Sequence, residues 1–264
     1  MRTETAERCL ERLGFSSAPA PTLASLTAAY SAWCALVPFD NLRKRIHLAS
    51  GSHDPFPNLD PDVFFADYLA HGTGGTCWPS TFALWSLLDH LGFDVQLGVA
   101  SMYADEPSDL ESHGTVLADV GGVRYWVDTA MGTIEPMVAS PGCGAGPAWR
   151  RARVEPLGDS ITVRWMRTVF PVEMGCRLLD DKGTPARYAI RYEASRQLSP
   201  FNTHLSSTRA TYERVLTFSF GMRMEQDVDG FRHSDRLDDD ERRSVLVEEF
   251  GYSEEIVDAL PPDE

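Results

Sequence analysis

The hydrophobic period of this chain changes near Gly92, and that change restricts it to a mixed architecture laid out in a set order. Before the glycine, Leu84, Leu87, Leu88 and Leu91 recur at i, i+3, i+4 and i+7, the apolar face of a buried helix. Gly92 stands where a helix C-terminal cap belongs. After it, "FDVQLGVASMY" alternates, with Val95, Leu97 and Val99 on one side, which predicts a strand. "HGTVLADVGGVRYWVDTA" reads as two strands joined by Gly121-Gly122 in a two-residue hairpin turn. "GDSITVRWM", "PARYAIRYEA" and "YERVLTFSFGMRMEQ" read as further strands, and "DDDERRSVLVEEFG" as a short closing helix. Helices first, then antiparallel strands, then a mixed piece make an α+β fold and exclude a doubly wound sheet.

The N-terminal part, residues 3–48, reads as helical. "TAERCLERLGF" opens on a possible cap and closes on glycine, and "SSAPAPTLAS" is a connector. Leu23, Leu26, Tyr30, Trp33 and Leu36 or Val37 then form one apolar stripe, expected in the core, before Pro38 ends the helix. A proline-rich loop leads to "VFFADYLAHG", a second short helix. The chain's 264 residues, 43% hydrophobic and 24% charged, suffice for a sizeable core and exclude wholesale disorder. A net charge of −15 argues against a nucleic-acid partner. With no apolar run of membrane-spanning length and no signal-peptide core, the expectation is a cytoplasmic protein with no membrane association. Two local basic clusters, Arg43-Lys44-Arg45 and Arg150, Arg151 and Arg153, are candidate contacts for a phosphate or an acidic partner.

Five widely spaced cysteines, with no C-x-x-C pair, give no support for a metal site or a disulfide framework, so each is expected to be buried or reactive. Cys77 stands apart. In "GTGGTCWPST" it follows a glycine-rich turn and begins a helix of about four turns, where free N–H groups and the helix dipole favour a thiolate. The hairpin supplies its partners. If Gly121-Gly122 is the turn, Val120 faces Val123 and Asp128 falls opposite Thr115, with His113 two residues along on the same face. His113 and Asp128 are then diagonal cross-strand neighbours about 7–8 Å apart at the backbone. A carboxylate holding one imidazole nitrogen leaves the other free to deprotonate the thiol. The competing interpretation is a core cysteine beside an ordinary polar strand. "GTGG" lacks the ending of a phosphate loop, no G-x-S-x-G elbow occurs, "GCGAGP" is a flexible loop by composition, and the other histidines show no ligand spacing.

Several segments together resemble the arylamine N-acetyltransferase superfamily. "CLERLGFSSAPAPTLASLTAAYSAWCALVPFDNL" looks like its first helices and its Pro-Phe-acid-Asn-Leu motif, here Pro38 to Leu42. "GTGGTCW" resembles the segment of its active cysteine, "SHGTVLADVGGVRYWVDTAMG" its paired strands, and "LSPFNTHLSSTR" with "LDDDERRSVLVEEFG" its C-terminal region. The resemblance implies a helical bundle over residues 1–92, a β-barrel over 93–195 and a C-terminal α/β lid over 196–264. It implies a Cys77-His113-Asp128 triad, and a substrate pocket formed by Phe39, Trp78, Thr129, Met131 and Phe201. The chain departs from the family where Thr73 replaces an arginine and Asp40 a glutamate, so an acid–arginine contact is expected to be missing. Trp78, Pro79 and Thr81, and the run Thr129-Ala130-Met131, also differ from the usual residues.

The chemistry implied is acyl transfer through a thioester on Cys77, with no permanently bound cofactor and a thioester donor, either CoA or the phosphopantetheine of a carrier protein. The departures favour the superfamily's off-loading branch, which releases and cyclises carrier-bound chains by Dieckmann condensation or amide formation. Its partners would be an acyl or peptidyl carrier protein and a small acyl substrate, and the carrier would need one of the basic clusters exposed near the entrance. The alternatives are an ordinary arylamine N-acetyltransferase using acetyl-CoA, a hydrolase with the same triad, and a non-catalytic binding module.

Overall fold

The computed structural model describes residues 1–102, 109–197 and 199–263. Five helices come first: α1 (Thr3–Arg12), α2 (Leu23–Leu36), α3 (Leu42–Ala49), α4 (Pro61–His71) and α5 (Cys77–His90). A two-residue strand, β1 (Phe39–Asp40), interrupts the segment predicted as helical through residue 48. Pro38 stops α2, and the chain extends before α3 begins. Leu26, Tyr30 and Trp33 of the predicted stripe are buried, whereas Leu23 and Leu36 at the helix ends are exposed. Trp33 stacks on Phe64 and meets Phe65 edge-on, and Leu84, Leu87, Leu88 and Leu91 of α5 close the same core.

The next strands are β2 (Asp94–Ser101), β3 (His113–Val120), β4 (Val123–Val127), β5 (Met137–Val138), β6 (Gly144–Ala145), β7 (Ala152–Leu157), β8 (Ser160–Met166) and β9 (Glu173–Gly183). They form one antiparallel sheet in the order β5-β4-β3-β2-β9-β8-β7-β6, and its edge strands β5 and β6 come into contact, so the sheet is a nearly closed barrel. Trp126, Met131, Met137, Val163 and Cys176 fill its interior. The strand expected through Tyr103 runs to Ser101, and Tyr103 lies outside the described residues. The hairpin register is the one the two-residue turn requires: Val120 pairs with Val123 and Val116 with Val127. Gly121 and Gly122 both have positive φ, 60° and 78°, the conformation of the hairpin turn that matches strand twist.

Residues 185–194, expected as a strand, instead form the helix α6 (Pro185–Ala194). Thr184 caps it by accepting from the Arg187 N–H, and Pro185 occupies its first turn, a start signal that outweighs the apparent alternation of "RYAIRY". Tyr188 and Tyr192, one turn apart, are the buried face. Strands β10 (Ser206–Ala210), β11 (Arg214–Ser219), β12 (Met222–Asp227) and β13 (Gly230–His233) follow, and the single strand expected over 212–226 is a hairpin turned at Phe220-Gly221. They extend β1 into a five-stranded sheet in the order β1-β10-β11-β12-β13. Helices α7 (Asp239–Ser244) and α8 (Glu254–Asp258), with a π-helical turn at Val245–Glu249, cover it. "GCGAGP", expected as a flexible loop, contributes β6 and leads into a 3-10 turn at Ala148–Arg150.

The fold divides the two basic clusters between interior and surface. Lys44, Arg45 and Arg150 are buried, and Arg43 pairs with Asp67 at 2.9 Å. Arg45 binds Asp263 and the Pro262 carbonyl, while Arg150 donates to the carbonyls of Met131, Gly132 and Met166. Arg153 pairs with Glu155 and Glu173. Lys44, Arg45 and Arg150 are thus held inside the protein, whereas Arg151 and Arg153 of the second cluster stay at the surface.

Gly74 marks the tightest backbone approach in the fold. A Cβ there would lie 1.8 Å from the Pro38 carbonyl oxygen, a backbone atom that cannot rotate away. Gly74→Ala is therefore expected to lower stability by about 3 kcal/mol, as overpacking against rigid backbone does. A urea unfolding curve checks this; a midpoint equal to wild type would show that the 38–40 segment can move aside.

Candidate active site

The site is assembled from a turn, a helix start and a hairpin. Asp40, fully buried, holds the turn. Its Oδ2 accepts from the Gly74 N–H at 2.7 Å and the Tyr252 hydroxyl at 3.0 Å, and its Oδ1 from the Leu42 N–H at 3.1 Å. Burial pushes this carboxyl up to about 6, against those hydrogen bonds and nearby Arg43, which lower it. The acid–arginine contact is absent at these positions: Thr73 is buried, and backbone N–H groups and a tyrosine serve the acid instead. The strand β1 also bridges to this turn, Phe39 against Gly75.

Cys77 is the first residue of α5 and is 9% exposed. Its Sγ lies 3.9 Å from the Ser112 carbonyl oxygen, within reach for a thiol donor. Thr76 precedes the helix without a side-chain capping bond, and Pro79 has no N–H, so the free donors next to the thiol are the Cys77 and Trp78 amides. Thr81, one turn on, donates to the Gly114 carbonyl at 2.9 Å and lies 3.3 Å from the Thr129 hydroxyl. That contact fastens the helix that begins at Cys77 to the strand that begins at His113.

The hairpin places His113 Nε2 2.7 Å from Asp128 Oδ2, with both side chains buried. The carboxylate is saturated. Oδ2 also accepts from the Trp126 indole N–H at 3.2 Å, and Oδ1 from the Ala130 and Met131 amides at 3.0 and 3.2 Å. The Tyr30 hydroxyl, on α2, donates to the Asp128 carbonyl at 2.6 Å. Burial alone would push the His113 imidazolium down; the Asp128 charge and hydrogen bond outweigh it, and the Cys77 side chain, in hydrogen-bonding contact with the ring, adds to them, so its pKa is raised. Burial alone would raise Asp128, and His113 outweighs that to hold it below the ordinary carboxylate value. With Nε2 engaged by Asp128, Nδ1 is the ring nitrogen left for the thiol.

The five residues expected in the pocket divide. Phe39 and Thr129 line one narrow cleft with Val37, Ala130 and Thr208, and Phe201 meets Phe39 edge-on at 5.4 Å between ring centres. Trp78 is buried against Tyr188, and Met131 packs inside the barrel with Trp126 and Met137. Three contributors were not legible as such. Tyr30 was expected only as core, yet its hydroxyl fixes the Asp128 backbone; Trp126 supplies an N–H; and Tyr252 reaches Asp40 from far along the chain. The alternation of Tyr125-Trp126 in the strand before Asp128 was the one signal available for the indole.

A family model described as N-acetyltransferase matches residues 22–143, the stretch that holds Cys77, His113 and Asp128. An arylamine N-acetyltransferase of Mycolicibacterium smegmatis is 30% identical over 129 residues, 47% of this chain and 45% of that protein, so the similarity spans less than half of either. Solved structures match over nearly the whole length. The Mycobacterium marinum arylamine N-acetyltransferase in complex with CoA superposes with a TM-score of 0.80 at 18% identity, covering 96% of this chain and 94% of that one. An arylamine N-acetyltransferase of Bacillus cereus, described as having a Cys-His-Glu triad, matches with a TM-score of 0.75 at 16% identity, covering 96% and 100%. The chain has the arylamine N-acetyltransferase fold, and the N-acetyltransferase family model matches the part of it in which a cysteine, a histidine and an aspartate meet.

Proposed function

We propose that this protein is a cysteine-dependent acyltransferase that works through a thioester acyl-enzyme on Cys77. The observation that carries the reading is the Cys77–His113–Asp128 contact chain, buried and anchored from three separate elements. His113 Nδ1 takes the Cys77 proton, and the thiolate attacks the carbonyl carbon of a thioester donor. The Trp78 amide, in the first turn of α5, would donate to the oxyanion of the tetrahedral intermediate. That intermediate collapses with cleavage of the donor C–S bond, and the imidazolium returns its proton to the leaving thiolate. In the second half-reaction His113 takes a proton from the acceptor as it attacks, the Cys77–acyl bond breaks, and the thiol is regenerated.

For donor and acceptor the finer proposal is off-loading cyclisation of a carrier-bound chain. It is supported by the changed surroundings of the nucleophile, Thr73, Pro79, Thr81 and Thr129 to Met131. A second reading, acetyl transfer from acetyl-CoA, is favoured by a specific observation: of the clusters Arg43 to Arg45 and Arg150 to Arg153, on which carrier docking was to rest, Lys44, Arg45 and Arg150 are inside the protein, which leaves mainly Arg151 and Arg153 at the surface. The N-acetyltransferase match over residues 22–143 and the fold shared with a CoA-bound relative support the same side.

Intact mass spectrometry separates them. Incubated with acetyl-CoA, the wild type gains one acetyl group if the acetyl reading holds; incubated with a β-ketoacyl aminoacyl thioester, it releases a cyclic product if the off-loading reading holds. Under either, Cys77→Ala forms no adduct, and an adduct on that variant would overturn the nucleophile. Asp128→Asn keeps the shape but removes the charge that raises His113. Acylation is expected to slow by roughly three orders of magnitude, measured as the single-turnover rate. Release of free acid as the sole product would identify a hydrolase.

A further inference from the structure

In the run Arg43-Lys44-Arg45, Arg43 pairs with Asp67 and Arg45 with Asp263, while Lys44 holds no carboxylate among the described residues. It sits on α3, 2% exposed, and its Nζ donates to the Ser195 hydroxyl at 2.8 Å and, at 3.4 Å, to the Ser195 carbonyl. The ammonium lies 5.0 Å from the centre of the Phe56 ring and 5.9 Å from that of Tyr192. No carboxylate among the described residues pairs with it. Glu193, nearby at the end of α6, accepts from the Phe56 N–H and from the Arg196 guanidinium. A buried ammonium in such surroundings is costly unless a negative charge stands close.

The surroundings name that charge. Phe56 and Tyr192, the two rings against the ammonium, belong to one apolar cluster with Cys77 and Trp78. Lys44 lines a crevice with Gly75, Thr76 and Pro79, which flank the nucleophile. The titratable and charged groups around it are Tyr192, whose ring it meets, Glu193 and Arg196 at the end of α6 and the turn after it, Asp40 and Arg43 beside the same crevice, and Cys77 from α5, which shares the apolar cluster of Phe56 and Tyr192. We propose that Lys44 is a positioning residue for the nucleophile: its ammonium is the counter-charge of the Cys77 thiolate, held in place by Ser195 and the two rings. Burial lowers Lys44 to about 8, and Cys77 is the leading charge that opposes the fall, ahead of Glu193, while Arg196 adds to it. The thiolate is thus flanked by two buried cations, imidazolium on the barrel side and ammonium on the α3 side. Only the first was visible in the sequence.

The proposal rests on Cys77 being the nucleophile, and one experiment separates the two. Alkylation of Cys77 by iodoacetamide is followed by peptide mass mapping from pH 5.5 to 10 in wild type, Lys44→Met and Lys44→Arg. Met keeps the length of the stem, and Arg keeps the charge. Lys44→Met is expected to alkylate about tenfold more slowly at pH 7, with the profile displaced upward by about one pH unit, the effect of one neighbouring charge. Lys44→Arg should stay near wild type. Superimposable wild-type and Lys44→Met profiles, or a Lys44→Arg profile matching Lys44→Met, would overturn the role of Lys44 and leave the nucleophile standing. A wild type whose Cys77 reacts no faster than Cys143 would overturn the nucleophile itself. If Lys44→Met loses its near-ultraviolet circular dichroism, Lys44→Gln, which retains a donor toward Ser195, takes its place with the same expectations.

Discussion

The carboxylate of Asp40 is the junction on which the geometry of this protein depends. It starts α3 through the Leu42 amide, fixes the turn before Cys77 through the Gly74 amide, and meets the Tyr252 hydroxyl from the C-terminal part. Three segments far apart in sequence therefore share one buried acceptor. A buried carboxylate is tolerated only when its lone pairs are filled, and here each donor that fills them belongs to an element the site needs. The same turn has no room for a side chain at Gly74, so hydrogen bonding and steric fit impose one path on the backbone that leads into Cys77.

Downstream of that junction the site is built by electrostatics. His113 and Asp128 are both removed from water, so their interaction is little screened by solvent. Asp128 tolerates burial because the amides of Ala130 and Met131 and the Trp126 indole fill the lone pairs that the imidazole leaves. Tyr30 holds the backbone of the same residue and so couples the helical part to the barrel at the base of the site. Precision at the sulfur is obtained from helix packing and hairpin register together, with Thr81 as the pin between them.

What was legible in the sequence was what local rules determine. A two-glycine turn fixes register over the residues beside it, so the pairing of His113 with Asp128 could be worked out by counting. Cys77 at a helix start followed from a turn preceding an apolar helical face. Contacts made across long separations were not legible. Nothing near Asp40 in sequence announces Tyr252, and nothing in "NLRKRIH" distinguishes Lys44, which is buried, from a surface lysine. Residues 185–194 satisfied two periods at once, and Thr184-Pro185 was the signal that should have decided for a helix. The five-stranded sheet was read only in part, because a polar strand such as "SSTRA" takes its place from pairing with neighbours rather than from its own composition.

The pairing of β1 with β10 bears on how the protein comes into being. Phe39 and Asp40 find their sheet partners at Thr208 and Ser207, and Asp40 is completed by Tyr252. A ribosome delivers residue 40 well before residues 207, 208 and 252, so the turn before Cys77 lacks those braces while the segment between is made. The ring contacts of Trp33 with Phe64 and Phe65, by contrast, join residues close to one another in sequence. Until β10 and Tyr252 have been made, the turn that leads to Cys77 has neither its sheet partner nor its tyrosine donor.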